Sequence, residues 1–278
     1  MQPMSLWVTS LNSGSNGNCY YIGNGREAVL IDAGLSCRET EKRMRRLDLK
    51  MDQVKAIFVS HEHGDHIKGL QVLSAKYQLP VYITARTLQH SRLQLQPHLI
   101  FPFAQQQPVT IGQLRITAFL KFHDAADPHS FMIEGGDVRI GVFTDLGKVC
   151  DQLRFYFGQC HAAFLETNYD ETMLLNGRYP WHLKNRISGG KGHLSNKQAL
   201  ELFLGGKSPY LSHLFLSHLS ADNNDPTLAL DLFRDCCGNT QVAVASRHAE
   251  MPVQYISTSA CSLPALAAGN KPAQLHLF

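Results

Sequence analysis

The six residues from His61 to His66 constrain this chain more than any other segment, because they place three imidazoles and an aspartate close together. Histidine is the commonest neutral metal ligand, and aspartate suits hard or borderline divalent cations. The apolar run 56–59 precedes the motif, and apolar residues at roughly helical spacing follow it. The pattern predicts a strand-to-helix turn at the carboxyl end of a strand, where α/β folds place their chemistry. A solvated His-rich turn is the alternative.

The composition is that of a protein with a hydrophobic core. The chain has 278 residues, of which 44% are hydrophobic, and a formal net charge of +3. The mild basic bias is compatible with an acidic or phosphorylated substrate and proves none. Seven cysteines, an odd number without a C-x-x-C pair, argue against a disulfide framework or a zinc finger. With no secretory signal pattern and no apolar run long enough for a membrane helix, we expect a cytoplasmic protein with reduced thiols and no membrane segment.

Alternating strand and helix patterns predict an α/β (α+β) fold in which two mixed sheets are flanked by helices, an αββα sandwich. Predicted helices include 39–47, which is charged and exposed, and 67–77 after the metal motif. The sequence pattern places residues 1–257 in one domain. Residues 258–278 are rich in Ala, Pro, Gly and Ser, which predicts a flexible C-terminal tail.

Three later residues also stand at or just past predicted strand ends, namely His123, Asp145 and His218. Taken alone, each is more often a structural residue than a ligand. Ligands gathered from loops at one sheet edge can nevertheless form a single site, and together with His61–His66 these three favour a metal centre.

The ordered motifs resemble those of the metallo-β-lactamase superfamily, and within it the YycJ/WalJ-type DNA exonucleases. The resemblance covers most of the chain. Its broad pieces are Asp32 after an apolar run and H-x-H-x-D-H. Other shared pieces include 13–18 and 166–170, and the much narrower pieces are 192–196 and 218–220 with 222–224. One departure is Tyr169, where the family pattern leads us to expect histidine; this weakens any side-chain role there and leaves the metal set intact.

The resemblance implies two divalent metal ions, Zn²⁺ or Mn²⁺. One would be held by His61, His63 and His123. The other would be held by Asp65, His66 and His218, with Asp145 bridging. Nitrogen and oxygen donors permit either metal, while histidine at position 63 argues against a redox di-iron centre. Asp32 is expected to orient the turn that carries the ligands.

Such a centre would generate a hydroxide nucleophile near neutral pH and neutralise charge on a phosphodiester. The predicted catalytic residues are Asp65 and His193. His193 lies in a Gly- and Lys-containing loop before a helix, which suits an anion, so it is expected to contact the scissile phosphate or protonate the leaving oxygen. A capping loop with a solvated histidine is the alternative.

Predicted substrate contacts come from the same region and comprise Lys184, Lys191, Ser195 and Asn196, with Arg186 completing a basic cluster. A solvated basic loop explains the cluster equally well. Trp181 and Tyr179 could stack on bases, although packing roles are the favoured interpretation.

The chain closes on Gln274-Leu275-His276-Leu277-Phe278, which resembles the short peptide by which bacterial DNA-processing proteins bind the replication sliding clamp. Gln274, Leu275, Leu277 and Phe278 would be the contacts, with the apolar side chains filling a hydrophobic cleft. The alternative is a terminal strand or latch on the parent domain.

The leading prediction is a metal-dependent phosphodiesterase, a 5′-to-3′ DNA exonuclease in repair or replication. The first alternative is a small-molecule hydrolase of the same superfamily, acting on a cyclic phosphodiester, a thioester or a lactam. The second is a non-catalytic scaffold with an inactive metal site, against which the complete ligand set argues.

Overall fold

The computed structural model describes residues 5–258, and their strands form two seven-stranded mixed sheets. The strands of the first sheet are β1 (Leu6–Asn12), β2 (Cys19–Gly23), β3 (Ala28–Ile31), β4 (Val54–Phe58), β5 (Val81–Tyr82) and β6 (Ile100–Phe101), joined by the late β14 (Gln254–Ile256). The strands of the second sheet are β7 (Val109–Ile111), β8 (Leu114–Leu120), β9 (His129–Gly135), β10 (Val138–Phe143), β11 (Ala162–Glu166), β12 (His213–Ser217) and β13 (Gln241–Val244).

The two sheets repeat one plan. In the first, the order is β14-β1-β2-β3-β4-β5-β6, antiparallel as far as β3 and parallel from β3 to β6. In the second, the order is β13-β12-β11-β10-β9-β8-β7, antiparallel from β7 to β10 and parallel from β10 to β13. Parallel strands bring their carboxyl ends to one edge, so each sheet collects its post-strand loops there.

The hydrophobic core has three layers, which confirms the αββα prediction. Buried side chains of both sheets, such as Val29, Phe58, Phe131 and Phe164, pack together in the middle. A second cluster lies between the first sheet and its helices, and a third lies between the second sheet and its helices. Because both faces are covered, central strands such as β3 and β11 are buried along their whole length.

The helices lie on the outer faces of the sheets or carry the site loops. They are α1 (Cys37–Arg46), α2 (Gly64–Ile67), α3 (Leu70–Tyr77), α4 (Ala85–Ser91), α5 (Asp151–Phe157), α6 (Glu171–Asn176), α7 (Trp181–Ser188), α8 (Asn196–Gly206) and α9 (Pro226–Arg234). Among residues 5–258, none of these helices has the length and apolarity needed to cross a bilayer.

Two helix predictions need correction. The prediction of a single helix 67–77 is wrong, because the helix is interrupted at Gly69 between α2 and α3. A Cβ at Gly69 would lie 1.8 Å from the Leu35 carbonyl oxygen. The Gly69 N–H donates to the Ala33 carbonyl at 2.9 Å, which ties the break to the loop after β3. Helix α1 is not wholly exposed either, since the buried Arg43 guanidinium donates to the Leu11 carbonyl at 2.8 Å.

The loop after β3 packs against the segment His61–His66, and Gly34 makes the contact. A Cβ on Gly34 would lie 1.7 Å from the Asp65 carbonyl oxygen and 2.5 Å from the Asn18 nitrogen. We predict that Gly34→Ala lowers the free energy of unfolding by about 1–3 kcal/mol or more, because backbone must move to admit the methyl group. Denaturant unfolding of the metal-free protein measures the change.

Gly64→Ala is the matched control, since a Cβ at this neighbouring glycine meets no atom within 4 Å. It should stay within about 0.5 kcal/mol of the parent chain. Equal stability of the two variants would contradict the close contact assigned to Gly34.

Candidate metal centre

The predicted ligands meet where strand ends of the two sheets face each other. His61 follows β4 of the first sheet, whereas His123, Asp145 and His218 follow β8, β10 and β12 of the second. Asp145 and His218 have positive φ angles of 56° and 57°, a conformation that residues other than glycine seldom adopt. Such backbone persists where the surrounding structure enforces it, and it is common at functional sites.

The first group of donors consists of His61, His63 and His123. The Nδ1 atom of His63 lies 3.1 Å from Nε2 of His61 and 3.3 Å from Nε2 of His123. A tetrahedral ion with metal–nitrogen bonds of ~2.0–2.1 Å needs its ligand atoms about 3.3–3.4 Å apart. The three nitrogens are therefore already close to the spacing that one such ion requires.

The second group consists of Asp65, His66 and His218, whose donor atoms lie within 4.8 Å of one another. The Nε2 atom of His66 is 3.5 Å from Asp65 Oδ2, and that of His218 is 3.6 Å from the same oxygen. Asp145 lies between the groups. Its Oδ2 is 3.2 Å from His66 Nε2, and its Oδ1 is 3.8 Å from His123 Nε2.

Hydrogen bonds outside the centre fix which nitrogen of each histidine carries the proton. His123 Nδ1 faces the Gly192 carbonyl at 3.1 Å, so it must donate. His66 Nδ1 faces an Asp32 oxygen at 2.7 Å, and His218 Nδ1 faces a Glu166 oxygen at 3.0 Å. In the neutral imidazole, a proton on Nδ1 leaves Nε2 as a lone pair directed at the centre.

The contact with Ser60 determines which nitrogen of His61 carries the proton. The Ser60 hydroxyl donates to Asp32 Oδ2 at 2.7 Å, which uses its only proton. His61 Nδ1, 2.9 Å from the Ser60 oxygen, must therefore donate to it, and His61 Nε2 is left bare. In their neutral form, these four histidines would direct unprotonated Nε2 atoms at the site, as metal-ligating histidines do.

Two buried atoms at the centre have no hydrogen-bond partner among the described residues, namely Asp145 Oδ2 and His218 Nε2. His66 Nε2 is near Asp145 Oδ2, at 3.2 Å, but no hydrogen bond is aligned between them. An unsatisfied buried carboxylate oxygen is costly unless a cation or donor approaches it. The residues present therefore fit divalent metal binding.

The pKa shifts reflect the same charge distribution. Burial lowers the pKa of His61 well below its ordinary value and lowers that of His123 to about 4, so both are neutral near pH 7. Burial would also lower the pKa of His66, but the carboxylates of Asp145, Asp65 and Asp32 raise it to about 10. In the metal-free chain, a proton thus occupies the place that a cation would take.

Asp32 holds the metal-binding turn in place. Its Oδ1 accepts the Ser60 backbone N–H at 2.7 Å, while Oδ2 accepts from the Ser60 hydroxyl and from His66 Nδ1. Asp32 itself has a φ angle of 62° and is buried. This geometry suits the orienting role expected for Asp32.

Two residues at the centre were missed by the sequence analysis as site residues. Glu166 ends the buried strand β11, and its Oε1 accepts from His193 Nδ1 at 2.8 Å and from His218 Nδ1. Although burial opposes it, His193 and His218 lower the pKa of Glu166 to about 2. An acidic residue ending a fully apolar strand was the available signal. Asn18 is the other, with Nδ2 placed 3.1 Å from His66 Nε2 and 3.2 Å from Asp65 Oδ2.

His193 lies beside the centre rather than inside either predicted ligand group. Its ring centroid is 5.3 Å from those of both His123 and His218, and its side chain is 21% exposed. Since Nδ1 donates to Glu166, Nε2 is the atom left to act on a substrate. A further set of close donors, Asp145, Glu166, His193 and His218, shares this side of the centre.

The predicted substrate contacts are not brought together. Ser195 is buried as the N-cap of α8, where its hydroxyl donates to Glu171 at 3.0 Å, and Asn196 is buried in reciprocal 2.8 Å bonds with Asn224. We therefore correct both to structural residues. A capping sequence with Ser and Gln at the first and fourth positions explains why this segment resembled an anion-binding loop.

The residues of the predicted basic cluster lie on two different sides of α7. The Lys184 ammonium donates to the Leu175 carbonyl at 2.6 Å, on the side of α7 that carries Trp181. Trp181 is exposed, so the packing role favoured for it is corrected. Lys191 and Arg186 instead line a cavity on the other side.

The four predicted clamp contacts, 274–278 apart from His276, lie outside the described residues.

We predict that Asp32→Asn lowers divalent-metal affinity by about 10- to 100-fold, since the uncharged amide orients and polarises His66 less well. Competition with a chromogenic chelator measures this. Asp231→Ala, which removes an exposed carboxylate on α9, should leave the affinity unchanged. Equal affinities for the two variants would contradict the role of Asp32.

Comparisons with known proteins agree with this architecture. The beta-lactamase superfamily domain matches residues 27–214. Exodeoxyribonuclease YycJ of Bacillus anthracis is 37% identical over 229 residues, which cover 81% of this chain and 87% of that protein. Exodeoxyribonuclease WalJ of Streptococcus pneumoniae is 32% identical over 237 residues, covering 82% and 87%.

Solved structures show the same fold at low identity. The metallo-beta-lactamase fold protein YhfI of Bacillus subtilis superposes with a TM-score of 0.69 at 18% identity, covering 90% of this chain and 99% of that one. The short form of human tRNase Z superposes with a TM-score of 0.59 at 18% identity, covering 89% and 99%. On its family match, its relatives and its fold, this chain belongs to the metallo-β-lactamase superfamily of hydrolases.

Proposed function

We propose that this protein is a metal-dependent phosphodiesterase that degrades DNA stepwise from the 5′ end in repair or replication, with two divalent ions, Zn²⁺ or Mn²⁺, at the centre. The observation that carries the proposal is the pair of donor groups joined by Asp145, in a chain 37% identical to an exodeoxyribonuclease. A nucleic-acid substrate follows from that kinship.

One ion would be held by His61, His63 and His123. The other would be held by Asp65, His66 and His218. When bound, the ions would supply an activated water and neutralise charge on the phosphate. Nitrogen and oxygen donors without a thiolate suit both metals named.

The protein's own residues position the substrate and move protons. Glu166 accepts a hydrogen bond from His193 Nδ1 at 2.8 Å, which fixes the ring. In the doubly protonated ring, Nε2 also carries a proton and can donate it to the leaving oxygen. Asp65, whose Oδ2 lies 3.6 Å from His218 Nε2, has a side chain that is 22% exposed and can hold the attacking water in place. His193 and Asp65 are thus our proposed catalytic pair.

A cytoplasmic location suits this function. Of the seven cysteines, the six in the described part of the chain are all free thiols, as in a reducing compartment.

The direct experiment incubates purified protein with Mn²⁺ or Zn²⁺ and end-labelled duplex DNA. We expect the wild type to shorten DNA stepwise from the 5′ end. His193→Ala should lower kcat by about 100-fold or more while leaving metal content unchanged, since general acid catalysis contributes ~10²–10⁴. Electrophoresis of timed samples and elemental analysis provide the two measurements.

The other outcomes separate the alternatives. Cleavage of a small phosphodiester alone would support a small-molecule hydrolase, and bound metal without turnover would support a scaffold. Loss of metal from His193→Ala would make His193 a ligand, whereas a wild-type rate would remove it from the mechanism.

We also propose that the peptide 274–278 docks on the replication sliding clamp, which rests on its sequence alone. Deleting residues 274–278 should abolish capture of the clamp in a pull-down and leave cleavage of short DNA unchanged. An unaltered pull-down would contradict the proposal.

A further inference from the structure

A cavity of about 460 Å³ opens beside the metal centre and is rich in positive charge. It is lined by Phe122, Asp124, Lys148, Asn185, Arg186, Gly189, Gly190 and Lys191. Three cations against one carboxylate leave it net positive. We call it the Lys148 cavity.

Its three wall segments are locked to one another. The Gly147 N–H donates to the Phe122 carbonyl at 2.5 Å, which joins the loop after β10 to the loop after β8. A Cβ on Gly147 would lie 2.4 Å from the Gly190 carbonyl oxygen, so the glycine allows the third segment to approach closely. A hydrogen bond and a close backbone approach at Gly147 therefore hold the three wall segments together.

Two of the cations are held in position before any ligand arrives. The Lys148 ammonium lies 3.9 Å from the centroid of the Phe122 ring, a cation–π contact. The Arg186 Nε lies 2.5 Å from Asp124 Oδ2, while 60% of the Arg186 side chain stays exposed. Preorientation lowers the entropy lost when these groups bind an anion.

The cavity is coupled to the catalytic residues through short contacts. Asp124, which holds Arg186, has its Oδ1 3.5 Å from the ligand nitrogen His123 Nε2. Gly192, next to Lys191, accepts the Nδ1 proton of His123, and His193 follows it directly. An anion in the cavity would therefore lie next to the group being hydrolysed.

We propose that the Lys148 cavity binds a phosphate group of the nucleic-acid strand adjacent to the scissile phosphodiester. This deepens the proposed function, on which it rests, by assigning a second phosphate-recognition site. Ammonium and guanidinium groups suit phosphate oxygens, and an arginine with free N–H groups can contact two of them. An uncharged or cationic ligand would have no counterpart for the three cations.

The test compares the double variant Lys148→Ala/Lys191→Ala with Lys42→Ala/Lys50→Ala. Both lose two positive charges, and the control lysines are exposed residues at α1 and after it. Binding of a fluorescent single-stranded oligodeoxynucleotide to the metal-free proteins is followed by anisotropy over a range of salt concentrations. No turnover is required.

We expect the cavity variant to bind about tenfold or more weakly than the control, with a shallower dependence of affinity on salt, because fewer counterions are released. Hydrolysis of bis(p-nitrophenyl) phosphate, which has one phosphate group, is measured for both variants with metal bound. A smaller loss there than in oligonucleotide binding is expected, because the cavity contacts a second phosphate. Equal oligonucleotide binding by the two variants, or equal loss of small-substrate hydrolysis and binding, would overturn the proposal.

Oligonucleotides with a 5′-phosphate or a 5′-hydroxyl identify the source of the phosphate. A defect confined to the phosphorylated strand assigns a terminal phosphate, and an equal defect assigns a backbone phosphate. DNA binding through the cavity without DNA cleavage by the wild type would refute the exonuclease and keep the cavity. Cleavage with unaltered binding would do the reverse.

Discussion

The constraint on which this site depends is the convergence of buried metal-ligating atoms on one space, where positive charge stabilises them. The lone pairs of four histidines converge with the carboxylates of Asp65 and Asp145 in a space closed to solvent on several sides. Without positive charge these atoms repel one another, and among the described residues Asp145 Oδ2 and His218 Nε2 have no hydrogen-bond partner, which is costly in a low-dielectric interior. The surrounding hydrogen bonds through Asp32, Ser60 and Glu166 make this arrangement rigid.

The fold provides the rigidity by using parallel strands whose ends meet. Pairing of β10, β11 and β12 in register sets Glu166 opposite Ser217, so that the residues following these strands share one edge. Asp32, Asp145 and His218 then turn back with positive φ angles directly after their strands. This unfavourable backbone is retained because buried hydrogen bonds and close glycine contacts define each turn.

Much of this could be predicted from local pattern. The apolar strands, the H-x-H-x-D-H turn and the post-strand positions of His123, Asp145 and His218 all carry local signals, and the αββα architecture is confirmed. Residues whose roles depend on partners far away in the chain were harder. Glu166 gains its importance from His193 and His218, Ser195 is used by a helix cap, and the direction of Lys184 depends on which face of α7 it occupies. No local pattern encodes those contacts.

We propose that both donor groups hold an ion, with Asp145 between them. Crystals grown with Zn²⁺ or Mn²⁺ and measured at the absorption edge of the metal should show two anomalous peaks about 3.5–4 Å apart, one against His61, His63 and His123 and the other against Asp65, His66 and His218. A single peak, or peaks away from these residues, would contradict it.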